Sequence, residues 1–429
     1  MAIKLHSELA EEIKQFVQKD FTPHYGEKQE QFESNPLWAR LRELGTELWL
    51  DTGDIDDAGD NWTREFSAMT TNNTLLNKEV QKGTYDEVIP QAAEMLRKHD
   101  LSEREMKLEV AFILNAMHAL KLVEQFDAFV SVEEHTDLAH DLDGSVEYAR
   151  RYHEICPERF YVKIPHTPAG ILATRKVASE GIPVNHTLGF GARQNYITAR
   201  LAAPRFVNVF MGRLNSFVSN NDLGDGELVG ERATLASQRA IRKLRRSENI
   251  QTRQIGASYR EGKQVRDLAG IDVITMPPKV ARQFQDLGMS ADQVDDKTDA
   301  TYKPEFKADM TPEKYSINTL WDINESVVEC VNALEKENID AMNDEDLVTF
   351  FHEHGCADLM PRWTEQQTQT SAEEGKIPKL DNWERPLDKH DIGLDALMNL
   401  AGLNHFANDQ KEMDAHVEKI LRDSGTYSK

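Results

Sequence analysis

The chain has 429 residues, with 50 Lys and Arg against 74 Asp and Glu, and the resulting net charge of −24 excludes a polycationic nucleic-acid binder. At 39% hydrophobic and 8% aromatic residues it can bury a sizeable core, and 23 Gly with 15 Pro are too few for a collagen-like or low-complexity chain. Cys156, Cys330 and Cys356 are too few for a disulfide framework and read as reduced thiols in a cytoplasmic setting.

The first segment, MAIKLHSELAEEIKQF, reads as an amphipathic helix that is neither a signal peptide nor a presequence, and it opens a helical arm over residues 1–44. No apolar run is long enough to span a membrane. Over residues 45–290, short apolar and β-branched runs alternate with helical stretches, the mark of an α/β protein. The predicted strands are ELWLD to Asp51, FSAMT to Thr70, AFVSVE to Glu133, FYVKI to Ile164, PVNHT to Thr187, RFVNVF to Phe210, TRQIGAS to Ser258 and IDVIT to Thr275. Between them lie helix-period patterns such as EMLRKHDLSEREMKLEVAFILNAMHALKLVEQF. Eight such units make a (β/α)8 TIM barrel. A doubly wound open sheet is the alternative, but it favours a Gly-rich turn after the first strand, where DTGDIDDAGD stands. Residues 291–429 form an acidic, helical C-terminal extension, within which TEQQTQTSAEEGKIPKLDNWERPLDKHD reads as a loop or mobile cover.

In a barrel, catalytic side chains stand at the C-terminal ends of strands. Asp51, Glu133, Asn185 and Thr187 close strands, Arg213, Ser258 and Arg260 follow the sixth and seventh, and Lys163 lies inside the fourth. A lysine between Val162 and Ile164 in a strand covered on both faces must either be paired or have a lowered pKa. In the second state the amine can attack a carbonyl and form a Schiff base; in the first it is a structural ion pair. Arg213 and Arg260 present planar forks suited to phosphate; the alternative, a surface salt bridge, fits one of them more easily than both. His352, His354 and Cys356, like His135 and His140, are metal-ligand types without the second half of a recognisable zinc spacing, so no metal is expected. GDGELVG reads as a flexible loop, and the basic run RAIRKLRR as a solvated helix face.

The segments LWLDTGDI, SVEEH, YVKIPHTPAG, VNHTL, VFMGRL and QIGASYR, in this order, resemble the transaldolase family, and the similarity resumes at FANDQKEMDAHV. The resemblance implies a cofactor-independent barrel enzyme that moves a dihydroxyacetone unit from a ketose phosphate to an aldose phosphate. It implies Lys163 as the Schiff-base lysine and Asp51 as the carboxylate exchanging a proton with the substrate hydroxyl. Glu133 would work with a water that Thr187 helps to hold, and Asn72 and Asn185 would bind substrate hydroxyls or orient the lysine. Arg213, Ser258 and Arg260 would take the phosphate. Asn208 replaces a usual serine at the donor's terminal hydroxyl, Asn73 replaces a usual proline, and HTPAG lacks the aromatic common after its threonine. The last two departures are expected to alter pocket shape more than mechanism. Phe210 agrees with transaldolases, whereas fructose 6-phosphate aldolases carry tyrosine there. The alternatives are a transaldolase-like enzyme with another donor such as a sulfo-sugar, an aldolase proper, or a non-catalytic sugar-phosphate binding barrel. Sugar phosphates are the expected partners, with no nucleic acid and no membrane; a homodimer is compatible with this reading.

Overall fold

A computed structural model describes residues 7–248 and 250–423, so the start of the predicted N-terminal helix and the end of the extension lie outside the described residues. The arm comprises α1 (Ser7–Gln18) and α2 (Pro36–Glu43). Then come β1 (Glu47–Asp51), α3 (Ile55–Gly59), β2 (Phe66–Thr70), α4 (Asn73–Gln81), α5 (Val88–Leu96), α6 (Glu103–Phe126), β3 (Phe129–Glu133) and α7 (Leu142–Ile155). The second half runs β4 (Phe160–Pro165), α8 (Pro168–Ser179), β5 (Val184–Thr187), α9 (Ala192–Ala202), β6 (Phe206–Phe210), α10 (Met211–Asn220), α11 (Val229–Glu248), β7 (Arg253–Ala257), α12 (Gly262–Asp267), β8 (Val273–Met276) and α13 (Pro278–Gln285). The extension contains α14 (Glu325–Leu334), α15 (Asp344–Glu353), α16 (Glu365–Glu374), α17 (Leu380–Asp388) and α18 (Leu394–Asp423).

The eight strands close into a parallel barrel in sequence order, which settles the choice against the open sheet. Strand side chains alternate between two faces, so residues two apart share one. Trp49, Tyr161 and Phe206 meet inside the barrel, the Trp49 and Tyr161 rings stacking at 5.5 Å and Phe206 lying edge-on to both. Two residues further along each of those strands stand Asp51, Lys163 and Asn208. The sequence pattern thus lays a polar layer on an aromatic plug, while Val162 and Ile164 face the outer helices and join the main apolar core.

The extension is packed into the molecule. Val327, Val331, Leu347 and Phe351 share an apolar cluster with Ile171, Ile197 and Val207 of the barrel. Arg193 of α9 forms a buried bidentate pair with Asp395 of α18, at 2.8 and 2.7 Å, and reaches Asp358 at 2.6 Å. The stretch expected to be a loop or mobile cover contains α16 and α17. Thr364 and Gln367 form a capping box that starts α16, and Leu380, Trp383 and Leu387 give α17 a buried stripe. The basic run is less solvated than expected, because Arg245 pairs with Asp272 at 2.7 Å and Arg242 donates to the Thr298 hydroxyl at 3.2 Å.

Candidate active site

Strand register assembles the centre. Glu133 is the Cα partner of Lys163 across β3 and β4, and Lys163 is the partner of Asn185 across β4 and β5. Lys163 Nζ, 4% exposed, donates to the Thr71 carbonyl at 3.0 Å and lies 3.4 Å from Glu133 Oε2. The lysine thus stands beside a carboxylate that can also take its proton, so contact with Glu133 and attack by the freed amine are compatible. Burial raises the Glu133 pKa, against the opposing pull of Lys163 and of a hydrogen bond from the Asn73 amide at 3.3 Å. Proline at position 73 could not supply that bond, so this departure reaches the carboxylate beside the lysine as well as the pocket shape.

Asp51 opens onto the same cleft. Its Oδ1 accepts from the Thr70 hydroxyl at 2.8 Å, and Thr70 in turn accepts from Thr275 at 2.8 Å. Desolvation pushes its pKa up, with Lys163, the Thr70 bond and Arg260 acting in opposition. Asn72 serves two purposes: its side-chain oxygen caps α4 by accepting from the Leu75 amide at 2.9 Å, and the residue lines the cleft. Asn208 donates to the Asn185 side chain at 3.3 Å and to the His186 carbonyl at 3.2 Å, while Asn185 donates to the Ser131 hydroxyl at 3.0 Å. The Thr187 hydroxyl is buried with no partner among the described residues.

Towards the mouth, Arg213 lies 5.4 Å from the Phe210 ring and 5.3 Å from the Phe406 ring. It is 5% exposed, its Nη1 has no hydrogen-bond partner, and it makes no ion pair among the described residues. Burial and the neighbouring Arg260 push its pKa down to about 10. A buried guanidinium without a carboxylate is costly unless an anion completes the site. Arg260 likewise has no ion pair among the described residues, which removes the salt-bridge alternative for both arginines. Ser258 has φ 64°, a left-handed turn rare for serine, and its carbonyl lies where a Cβ on Gly212 would be 2.1 Å away. Gly212 is thus what lets the start of α10, with Arg213, come up against the loop carrying Ser258 and Arg260.

All eleven residues expected at the site converge here. Asp51, Asn72, Lys163, Asn185, Thr187, Asn208, Phe210, Arg213, Ser258 and Arg260 line one cleft of about 310 Å³, with Glu133 beneath it against Lys163. The sequence reading missed Thr70 and Thr275, which also close apolar strands, and Lys78, Lys376, His405 and Phe406. The discounted histidines do structural work: His352 donates to the Met360 carbonyl at 3.0 Å, His354 stacks on Phe350 at 3.9 Å, and His135 faces Asp414 at 3.4 Å. Among the described residues, no three His, Cys, Asp or Glu side chains gather as a metal site would need, and no helix is long and apolar enough to cross a membrane.

Fold and cleft together define a (β/α)8 protein with a lysine–carboxylate centre and, at the C-terminal mouth of its barrel, two arginines that are unpaired among the described residues. The chain belongs to the Transaldolase/Fructose-6-phosphate aldolase family, whose description matches residues 48–333. Among similar proteins, a transaldolase of Protochlamydia amoebophila is 28% identical over 258 residues, covering 58% of this chain and 77% of that protein. A probable transaldolase of Dictyostelium discoideum is 27% identical over 291 residues, 66% of this chain and 88% of its own length. A transaldolase of Xanthomonas euvesicatoria is 30% identical over 256 residues, 57% and 77% respectively.

Proposed function

We propose that this protein is a transaldolase, transferring a dihydroxyacetone unit from a ketose phosphate such as sedoheptulose 7-phosphate or fructose 6-phosphate to an aldose phosphate, in the pentose phosphate pathway of the cytoplasm. The observation that carries this reading is the buried Lys163 beside Glu133, in one cleft with two arginines that have no carboxylate partner.

In this reading the Lys163 amine attacks the ketose C2 carbonyl. Glu133, through a water held by the otherwise unpartnered Thr187 hydroxyl, returns a proton to the leaving hydroxyl, so that water departs and the iminium forms. Asp51 takes the C4 hydroxyl proton; the C3–C4 bond breaks, its electrons pass to the iminium nitrogen, and the aldose phosphate leaves. The raised pKa of Asp51 suits a group that must accept and later return this proton. The remaining three-carbon enamine stays covalently held until an acceptor aldehyde arrives, when the steps reverse. Asn72, Asn185 and Asn208 supply amides for the sugar hydroxyls, and Arg213, Ser258 and Arg260 take the phosphate. Phe210 has no hydroxyl to help protonate the enamine carbon, the step that must precede attack of water on the iminium, which favours transfer over release of dihydroxyacetone.

Borohydride reduction in the presence of fructose 6-phosphate, followed by peptide mass analysis, tests the reading. A three-carbon adduct on Lys163 is expected, and Lys163→Ala should abolish both adduct and turnover; substantial activity in that variant would sink the assignment.

A further inference from the structure

Lys376 belongs to the extension, beyond the family match over residues 48–333, yet it lines the cleft together with Arg213 and Arg260. Among the described residues its ammonium makes no hydrogen bond or ion pair, in a chain where Asp and Glu outnumber Lys and Arg by 74 to 50. Partial desolvation and the two arginines hold its pKa below the usual lysine range. Lys376 is exposed at the mouth, and a cation set among other cations with no carboxylate bound to it favours an anion as its partner.

The position is built. Gly375, at φ 75°, turns the chain after α16. Across that turn Glu374 accepts from the Asn382 amide at 2.5 Å and the Trp383 indole at 2.8 Å. Asn221, at the end of α10, donates to the Pro378 carbonyl at 3.0 Å and accepts from the Leu380 amide at 2.8 Å, clamping the loop to the helix whose first turn carries Arg213. Asn404 and Asn408 of α18 donate to the Thr368 and Ala372 carbonyls of α16, at 3.2 and 3.3 Å. These bonds fix the loop between α16 and α17 over the mouth. Asp409, the carboxylate that also faces this region, already accepts from the Thr74 hydroxyl and lies 3.4 Å from His405.

We propose that Lys376 is a phosphate-binding residue supplied by the extension, a third cation that contacts the terminal phosphate of a bound sugar together with Arg213 and Arg260. The proposal rests on the transaldolase reading only for the identity of the sugar; the chemistry it assigns is recognition of a phosphate dianion. It gives the extension a part in substrate selection, favouring phosphate esters over neutral sugars.

The test uses inorganic phosphate as the probe and the phosphate-dependent rise in melting temperature of the full chain as the readout, since a ligand of the folded state stabilises it by mass action. Lys376→Met is expected to need about tenfold more phosphate for the same rise, whereas Lys376→Arg stays within about threefold, as expected for loss and retention of one charge-assisted contact. Lys379→Met, on the same loop outside the cleft, controls for general charge and should match the wild type. A wild-type response in Lys376→Met overturns the proposal, as does a wild-type protein indifferent to phosphate. Borohydride trapping on Lys163 reports independently on the transaldolase reading: its failure alongside a Lys376-dependent phosphate response would strike the reaction and leave the anion site standing.

Discussion

Asn73 shows how one backbone atom can act on a buried carboxylate. It is the first residue of α4, where proline is well accommodated, so Asn73→Pro should fold while deleting the amide donor to Glu133. That donor lowers the pKa of a carboxylate that desolvation raises. If ionised Glu133 is required, activity declines as pH falls through its pKa, and loss of the donor moves this decline to higher pH; a kcat/KM profile from pH 5 to 9 checks it. Glu134 shows the opposite economy. Burial pushes its pKa well above 4.5: it accepts from Ser145 at 2.6 Å, but among the described residues its Oε1 has no partner and no cation pairs with it. With a folded pKa above the unfolded one, the stability it contributes is fully present below about pH 4.5 and is lost as pH rises towards the folded value. Glu134→Gln removes that dependence, and melts at pH 5 and pH 8 should differ less for the variant than for the wild type. At this scale the centre was legible because β-strands alternate: LWLD, VSVE and YVKI each announce a polar residue where the barrel opens. Lys376 was not, because its meaning depends on a fold that brings it to residues more than a hundred positions away.

Among elements, the junction of α10 with the loop after β7 carries the tightest constraint. Gly212→Ala would press a methyl into the Ser258 carbonyl and push Ser258 and Arg260 away from Arg213. An ångström of displacement can reduce kcat/KM by about 100-fold. The expected result is such a loss with fructose 6-phosphate, while reductive trapping with dihydroxyacetone, which has no phosphate, is retained. The helices themselves were unevenly legible. Strands declared themselves as continuous apolar runs, and α6 by its long helical period. The segment containing α16 and α17 reads as polar and contains a proline, but its helices rest on caps and one narrow stripe. Those signals are small beside the tertiary contacts with Asn221, Asn404 and Asn408 that fix them.

Across the whole molecule, the arm, barrel and extension share buried surface, and the Arg193–Asp395–Asp358 triad binds the extension to the barrel from inside. Arg193→Met would leave Asp395, fully buried, without its cation, and stranding a buried charge in this way costs about 3–5 kcal/mol. A lower denaturant midpoint is expected, together with weaker phosphate protection, because the helix that supplies His405 and Phe406 to the cleft starts at the broken pair. The eight-stranded barrel could be counted from the sequence, whereas this coupling could not: its partners lie 202 and 165 residues apart.

The passage of α18 over the barrel mouth also sets an order of events during synthesis. Domains tend to fold as they emerge, at roughly 5–20 residues per second. Lys163 and all eight strands therefore leave the ribosome well before Phe406, and the nascent barrel carries the Lys163 amine before the cleft has its cover. Until α18 arrives, the amine stands without its aromatic neighbour 5.8 Å away, and Arg213 without one of its two flanking rings. A chain that ends after β8 holds every strand of the barrel but lacks Lys376, His405 and Phe406, so its cleft is without part of its lining.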